Sequence, residues 1–225
     1  MDRLAGTPWS APGTVAGFKH SAPNARLMAL AADELRRLER GRVLDVGCGA
    51  GRNLVPLARL GWEAVGLDLS WPMLAAAADR VGAEALTGRC HLAQAPMDAL
   101  PIRDGSADLV IAHGIWNLAR STNEFRHSVQ EAARAACPGA LLFVFTFSRR
   151  TIPPDCMPVG SEAFVFTEFS GQPQCFLTEA QLVAELGAAG FDPEPRVPLV
   201  EHNVPAPGTL SSGAPVIFEG GFRAR

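Results

Sequence analysis

The stretch from Val43 to Gly51, VLDVGCGAG, joins an apolar run to an acid and then to three glycines on alternate positions. The apolar run has the length of a short buried strand. Glycines directly after it mark backbone that turns tightly or meets a ligand at close range, because no Cβ stands in the way. RNLVPLARLG follows with helical period, although Pro56 sits early in it. A strand, a glycine turn and a helix start together place unpaired N–H groups at the carboxyl edge of a sheet, where open α/β folds bind their ligands.

Working outward, strands and helices alternate. EAVGLDLS reads as a second strand, WPMLAAAADRVG as a helix with Pro72 in its first turn, and RCHLAQA as a third strand. ADLVIAHG is a fourth strand after the turn signal RDGS. NEFRHSVQEAARAAC is a helix stopped by Pro138 and Gly139, and ALLFVFTFS is a fully apolar fifth strand. Such alternation implies right-handed crossovers and a parallel sheet buried on both faces. Upstream, NARLMALAADELRRLER is a helix capped by Asn24 and ended by Gly41, and residues 1–22 read as an arm with little regular structure. After the fifth strand comes an insertion at about 149–176, rich in proline, with one strand-like patch. LTEAQLVAELGAAGF restores a helix between Thr178 and Gly190, and RVPLVEHN and APVIFEGGFRAR read as two antiparallel final strands. The expected organisation is an arm or lid over 1–22 and a single domain over 23–225.

Composition narrows the function. The 225 residues suit one domain, and 48% hydrophobic with 19% charged residues excludes a disordered chain. A net charge of -3 supplies no basic field for nucleic acid or an anionic membrane. No apolar run reaches the roughly 18 residues of a spanning helix, and the opening residues lack a signal-peptide core. Five scattered cysteines without a CxxC pair read as free thiols in a reducing cytoplasm, with no metal site.

A dinucleotide loop of the form G-x-G-x-x-G would put Arg52 in the third glycine's place. The spacing from Asp45 to Gly51 is instead D-x-G-x-G-x-G. Together with VGLDLS, LPIRDGSADLVIAHG, ACPGALLFVFTFS and LTEAQLVAELGAAGF in that order, it resembles the class I S-adenosylmethionine-dependent methyltransferases over roughly residues 40 to 225. The resemblance implies a Rossmann-like α/β fold, a seven-stranded and mostly parallel sheet of order 3-2-1-4-5-7-6 with strand 7 antiparallel, and S-adenosylmethionine as cofactor. It further implies cofactor contacts from Asp45, Gly47, Cys48, Gly49, Gly51, Asp68, Leu69, Met97, Asp98 and His113, with Asp68 accepting from the ribose hydroxyls. Where the family commonly carries an acid for the adenine amino group, this chain has Pro96, which offers neither a carboxylate nor an N–H.

Methyl transfer from a sulfonium needs alignment and water exclusion rather than a covalent nucleophile. AHGIWNLARS leaves the fourth strand with His113 as a candidate base and Trp116 and Asn117 as candidate acceptor contacts. His113 read structurally is a strand-end hydrogen-bonding group, and Trp116 a core residue. Phe18 and His20 in the arm and Arg149 in the insertion complete the candidate substrate set. With no second domain, a small molecule is the expected acceptor, its reacting atom open, and the protein a monomer or a homodimer through the edge of the apolar final strand. A binding protein without turnover and a nicotinamide-dependent oxidoreductase are the competing readings.

Overall fold

Apolar segments flanked by glycine and proline become strands here, and amphipathic ones pack over them. The computed structural model describes residues 4–205 and 214–225. The Pro/Gly loop expected between the last two strands falls largely on residues 206–213, outside the described residues. The element order is α1 (Pro12–His20), α2 (Ala25–Leu38), β1 (Arg42–Val46), α3 (Leu54–Leu60), β2 (Glu63–Asp68), α4 (Trp71–Ala83), β3 (Cys90–Gln94), β4 (Ala107–His113), α5 (Thr122–Ala135) and β5 (Ala136–Phe147). The insertion holds a two-rung hairpin of β6 (Val165–Phe166) and β7 (Gln174–Cys175). Then follow α6 (Glu179–Ala188), β8 (Phe191–Pro193), β9 (Val200–His202) and β10 (Ile217–Ala224).

The main sheet runs β3-β2-β1-β4-β5-β10-β8, with β9 also beside β10. Strands β1 to β5 pair in parallel, and β10 runs antiparallel to β5, β8 and β9. The expected order therefore holds, but with eight strands rather than seven, because the sixth position is divided between β8 and β9. Pro193, Pro195 and Pro198 withhold ladder donors there. The intervening chain crosses flush over β10. A Cβ on Gly220 would come within 2.7 Å of the Leu199 backbone, and one on Gly221 within 2.9 Å of Val197. Since β10 lies between β5 and its two short neighbours, its edge is not open for dimer formation as the sequence suggested.

Two apolar layers enclose the sheet. Val110, Leu142 and Val144 meet Phe125 and Val129 of α5, Leu182 and Leu186 of α6, and the insertion. On the other face Val43, Leu109, Ile111 and Phe143 meet Leu27 of α2 and Leu54 and Leu57 of α3. Capping follows the sequence: Asn24 Oδ1 accepts from the Leu27 N–H at 2.9 Å, and Thr178 and Gln181 form a capping box.

The arm is the main departure. A short 3-10 turn at Pro8–Ser10 and the helix α1 replace the irregular segment expected. Gly13 and Gly17 make α1 a poor helix by propensity. Packing of Val15 and Phe18 against Ala50, Met73 and Ala76 supplies what propensity lacks. Among the described residues no helix is long and apolar enough to cross a membrane, and no group of three or more His, Cys, Asp or Glu is placed to hold a metal ion.

Candidate active site

The glycine loop is fastened to β2. Gly47 N–H and Cys48 N–H donate to the Leu67 carbonyl at 2.7 and 2.9 Å, and Gly49 N–H donates to Asp68 Oδ2 at 2.8 Å. Gly47 and Gly49 have φ of +74° and +53°, left-handed values that side chains disfavour. A Cβ on Gly47 would also meet Ile115 at 2.8 Å, so the loop and the chain leaving β4 lie in direct contact. Two expected cofactor contacts are corrected. Cys48 is buried with its sulfur against Gly66, and burial drives its thiol pKa up, so it fills space beneath the loop. Gly51 faces Val55 and Ala77, which makes it a packing glycine for α3 and α4.

Asp45 is 2% exposed and accepts no hydrogen bond among the described residues. Burial pushes its carboxyl up to about 7, with nearby Arg52 opposing and Asp68 reinforcing that rise. Asp68 is half-buried, with Oδ1 accepting from Ser70 N–H and Oδ2 from Gly49 N–H, both at 2.8 Å. Burial raises its pKa, against the lowering effect of the backbone donors from Ser70, Gly49 and Leu69. Each of its oxygens retains acceptor capacity beyond one amide bond. An isolated buried carboxylate beside bare backbone, with a second carboxylate one strand over, suits a ligand that brings an ammonium and a sugar diol.

His113 stands at the end of β4 in a crowded position. Its ring stacks on Phe145 at a centroid distance of 4.1 Å, and Arg52 Nη2 donates to Nδ1 at 3.0 Å. That bond places the proton of the neutral ring on Nε2, so Asn24 Nδ2 at 3.3 Å is a contact rather than a second donor. Burial, and then the Arg52 charge, pull His113 down to about 3. A histidine so depressed is a weak proton acceptor, and the general-base role expected for it does not fit this geometry. It holds Arg52 instead. No ion pair joins Arg52 to Asp45 among the described residues.

The remaining candidates divide. Phe18 lies over the loop, 3.6 Å from where a Gly49 Cβ would be, with Arg52 above its ring at 5.8 Å and Trp9 edge-on at 6.2 Å. His20 ends α1 in an exposed position. Met97 is half-buried, Asp98 exposed, and Leu69 half-buried with its carbonyl taken by Gln94 Nε2 at 2.8 Å. Trp116 is 0% exposed and packs edge-on against Phe125, so it belongs to the core and not to a pocket wall. Asn117 is buried beside it. Arg149 donates to the carbonyls of Ile152, Pro153, Pro154 and Cys156 and covers Phe166, so it folds the insertion and is not free to clamp an anion. The sequence reading missed Arg52, Asn24 and Glu219. Glu219, 7% exposed, accepts from Asn24 Nδ2 at 2.9 Å and Arg26 Nη1 at 3.4 Å. A charge inside the apolar run VIFEGGF was the available signal.

Residues 43–139 match the family model for a methyltransferase domain. Over that segment the chain is similar to methyltransferase domains. It is 30% identical over 166 residues to the ubiquinone biosynthesis O-methyltransferase of Azorhizobium caulinodans, a match that covers 72% of this chain and 62% of that protein. The chain thus spans less than two thirds of that relative's length. A SAM-dependent methyltransferase from Methanosarcina mazei shares the fold, with a TM-score of 0.64, 20% identity, and coverage of 83% of this chain and 93% of that one. The [4+2]-cyclase SpnF shares it as well, with a TM-score of 0.66, 20% identity, and coverage of 92% and 84%. The glycine loop, Asp45, Asp68 and the end of β4 all lie within the matched methyltransferase domain.

Proposed function

We propose that the protein transfers a methyl group from S-adenosylmethionine to a small-molecule acceptor in the cytoplasm. The observation that carries this reading is the buried Asp45 carboxylate, without a hydrogen bond among the described residues, at the foot of the left-handed glycine turn of Gly47 and Gly49. A carboxylate left without partners in low dielectric is costly, and a cationic ligand removes the cost. When bound, S-adenosylmethionine supplies an electrophilic methyl group on a sulfonium. The chain's own groups bind and orient it. Asp45 meets the ammonium, Asp68 accepts from the ribose hydroxyls while fastening Gly49, and Met97 covers the adenine where Pro96 removes the usual acid. Asp98, exposed next to Met97 in the chain, is available to the same end of the ligand. His113 keeps Arg52 from closing on Asp45, a positioning role. Phe18 of the arm excludes water from the loop.

The Azorhizobium relative's name puts an oxygen acceptor first among the possible reacting atoms. The free thiols of all five cysteines suit a reducing compartment. The likeness to a [4+2]-cyclase favours a second reading in which the same cofactor crevice serves another reaction, since fold alone does not fix chemistry.

Calorimetric titration with S-adenosylmethionine, S-adenosylhomocysteine and NAD tests the assignment. Both adenosyl compounds should bind and NAD should not, and preference for NAD would overturn it. Tight binding without turnover across an acceptor panel would favour the second reading. Replacing Asp68 by alanine should weaken cofactor binding at least tenfold, about 1.4 kcal/mol, by removing a charged acceptor. Unchanged affinity would put the ribose elsewhere.

A further inference from the structure

The carboxyl ends of β4, β5 and β9, with the amino end of the antiparallel β10 between β5 and β9, carry a second surface that cofactor binding does not use. Side chains of register partners share a face of the sheet. His113, Phe145 and Glu219 form one row across β4, β5 and β10, and Phe147, Ile217 and His202 form the next across β5, β10 and β9. Phe145 and Phe147 are half-buried, so part of each ring is open. Phe169 of the insertion leans edge-on against Phe147 at 5.2 Å and is itself 43% exposed. Phe145, stacked on His113, and the Phe147–Phe169 pair thus give this edge of the sheet partly open aromatic surface, beginning at the residue that touches the glycine-loop cluster.

This surface has one polar corner. The Glu219 carboxylate accepts from Asn24 and Arg26, two bonds against about four acceptor positions on an ionised carboxylate. His202 Nε2 is buried without a hydrogen-bond partner and lies 4.0 Å from Glu219 Oε1. That gap is too long for a hydrogen bond. A single hydroxyl between them would donate to Glu219 and accept from His202 Nε2. Arg26 already offsets the Glu219 charge, which selects a neutral hydroxyl over an ammonium. The carboxylate itself repels an anionic group.

We infer that this surface is the acceptor site and takes a planar aromatic ring bearing a hydroxyl that donates to Glu219. The inference rests on the methyltransferase reading and names its substrate class. Phe145, Phe147 and Phe169 supply ring contacts, and Glu219 with His202 reads the hydroxyl.

The test uses protein saturated with S-adenosylhomocysteine, titrated calorimetrically with 4-ethylphenol, its methyl ether and 4-ethylcyclohexanol. The phenol should bind at least tenfold more tightly than either analogue. Substituting Phe147→Leu should weaken the phenol at least fivefold, and Glu219→Gln should abolish its preference over the ether. Each variant's affinity for S-adenosylhomocysteine reports whether it is folded. If Glu219→Gln fails that check because Arg26 is stranded, Phe147→Leu decides. Equal affinity for the three probes, or folded variants that keep the wild-type preference, would overturn the acceptor site alone. Failure of the wild-type protein to bind S-adenosylhomocysteine would overturn the methyltransferase reading and this inference with it.

Discussion

Glu34 and Asp45 are both almost wholly buried, at 1% and 2% exposure, yet their surroundings are opposite. Glu34, on α2, is held at the seam between that helix and the far end of the sheet. Arg37 lies 2.8 Å from it, and Arg196 and Arg223 each lie 3.0 Å from it; both of these also bind Glu194. Burial pushes Glu34 up, but hydrogen bonds from Arg223 and Arg37 outweigh it and hold the carboxyl at about 2. Asp45 has no such partners, and burial carries it to about 7. One acid is satisfied within the chain and serves stability. The other has no partner within the chain, and the proposed function gives it a cationic ligand.

Breaking the first should cost the most. Glu34→Gln removes the carboxylate shared by Arg37, Arg196 and Arg223 and leaves only the Glu194 carboxylate to hold the last two. The loss should cost about 3 kcal/mol, the low end for breaking a buried ionic cluster, because the arginines are partly solvated. At about 2–4 °C per kcal/mol for a chain of this size, thermal denaturation should show a midpoint roughly 10 °C lower. An unmoved midpoint would mean that solvent already compensates the seam. Asp45→Asn should do the reverse. It leaves the midpoint unchanged or higher, while cofactor affinity falls about thirtyfold, or about 2 kcal/mol, in the same calorimetry. A stability loss there, with affinity intact, would erase the contrast.

Acid titration sharpens it further. The folded pKa of Asp45 is raised, so its contribution to stability is fully present below about 4 and is lost as pH rises through about 7. That of Glu34 is depressed, so its contribution is present above 4.5 and is lost as pH falls toward 2. Cofactor affinity should climb between pH 5 and about 7 as Asp45 ionises and then level off, and Asp45→Asn should flatten that climb. The smallest effect belongs to the arm. Phe18→Ala should weaken the cofactor three- to fivefold, under about 1 kcal/mol, with faster dissociation and an unchanged melting midpoint. Full-strength binding would show that α1 covers the loop without contributing to affinity.

The same two acids show what could be read in advance. Asp45 was legible because a strand, an acid and spaced glycines form a local pattern. The parallel order of β1 to β5 was legible because alternation admits few topologies. Glu34 carried a weaker signal. It falls seven residues after Leu27 and three after Ala31, on the buried stripe of α2, but its arginine partners are remote in sequence. The helix α1 was illegible because contacts with α4, not its own residues, make it fold. The split of the sixth strand needed the glycines of β10, which matter only once Leu199 lies across them. Trp116 and Arg149 were misassigned as substrate contacts because position at a sheet edge does not reveal which way a side chain turns.

One bond has a consequence in time. Asn24 caps α2 and also grips Glu219, 195 residues further along the chain. At translation speeds of about 5–20 residues per second, roughly 10 to 40 s separate the appearance of the two ends. For most of that interval the ribosome carries a polypeptide whose glycine loop has been made but whose opposite wall does not exist. The crevice is therefore finished in one late event, when β10 slots between its neighbours and brings Glu219 to the aromatic side chains already carried by β5 and the insertion.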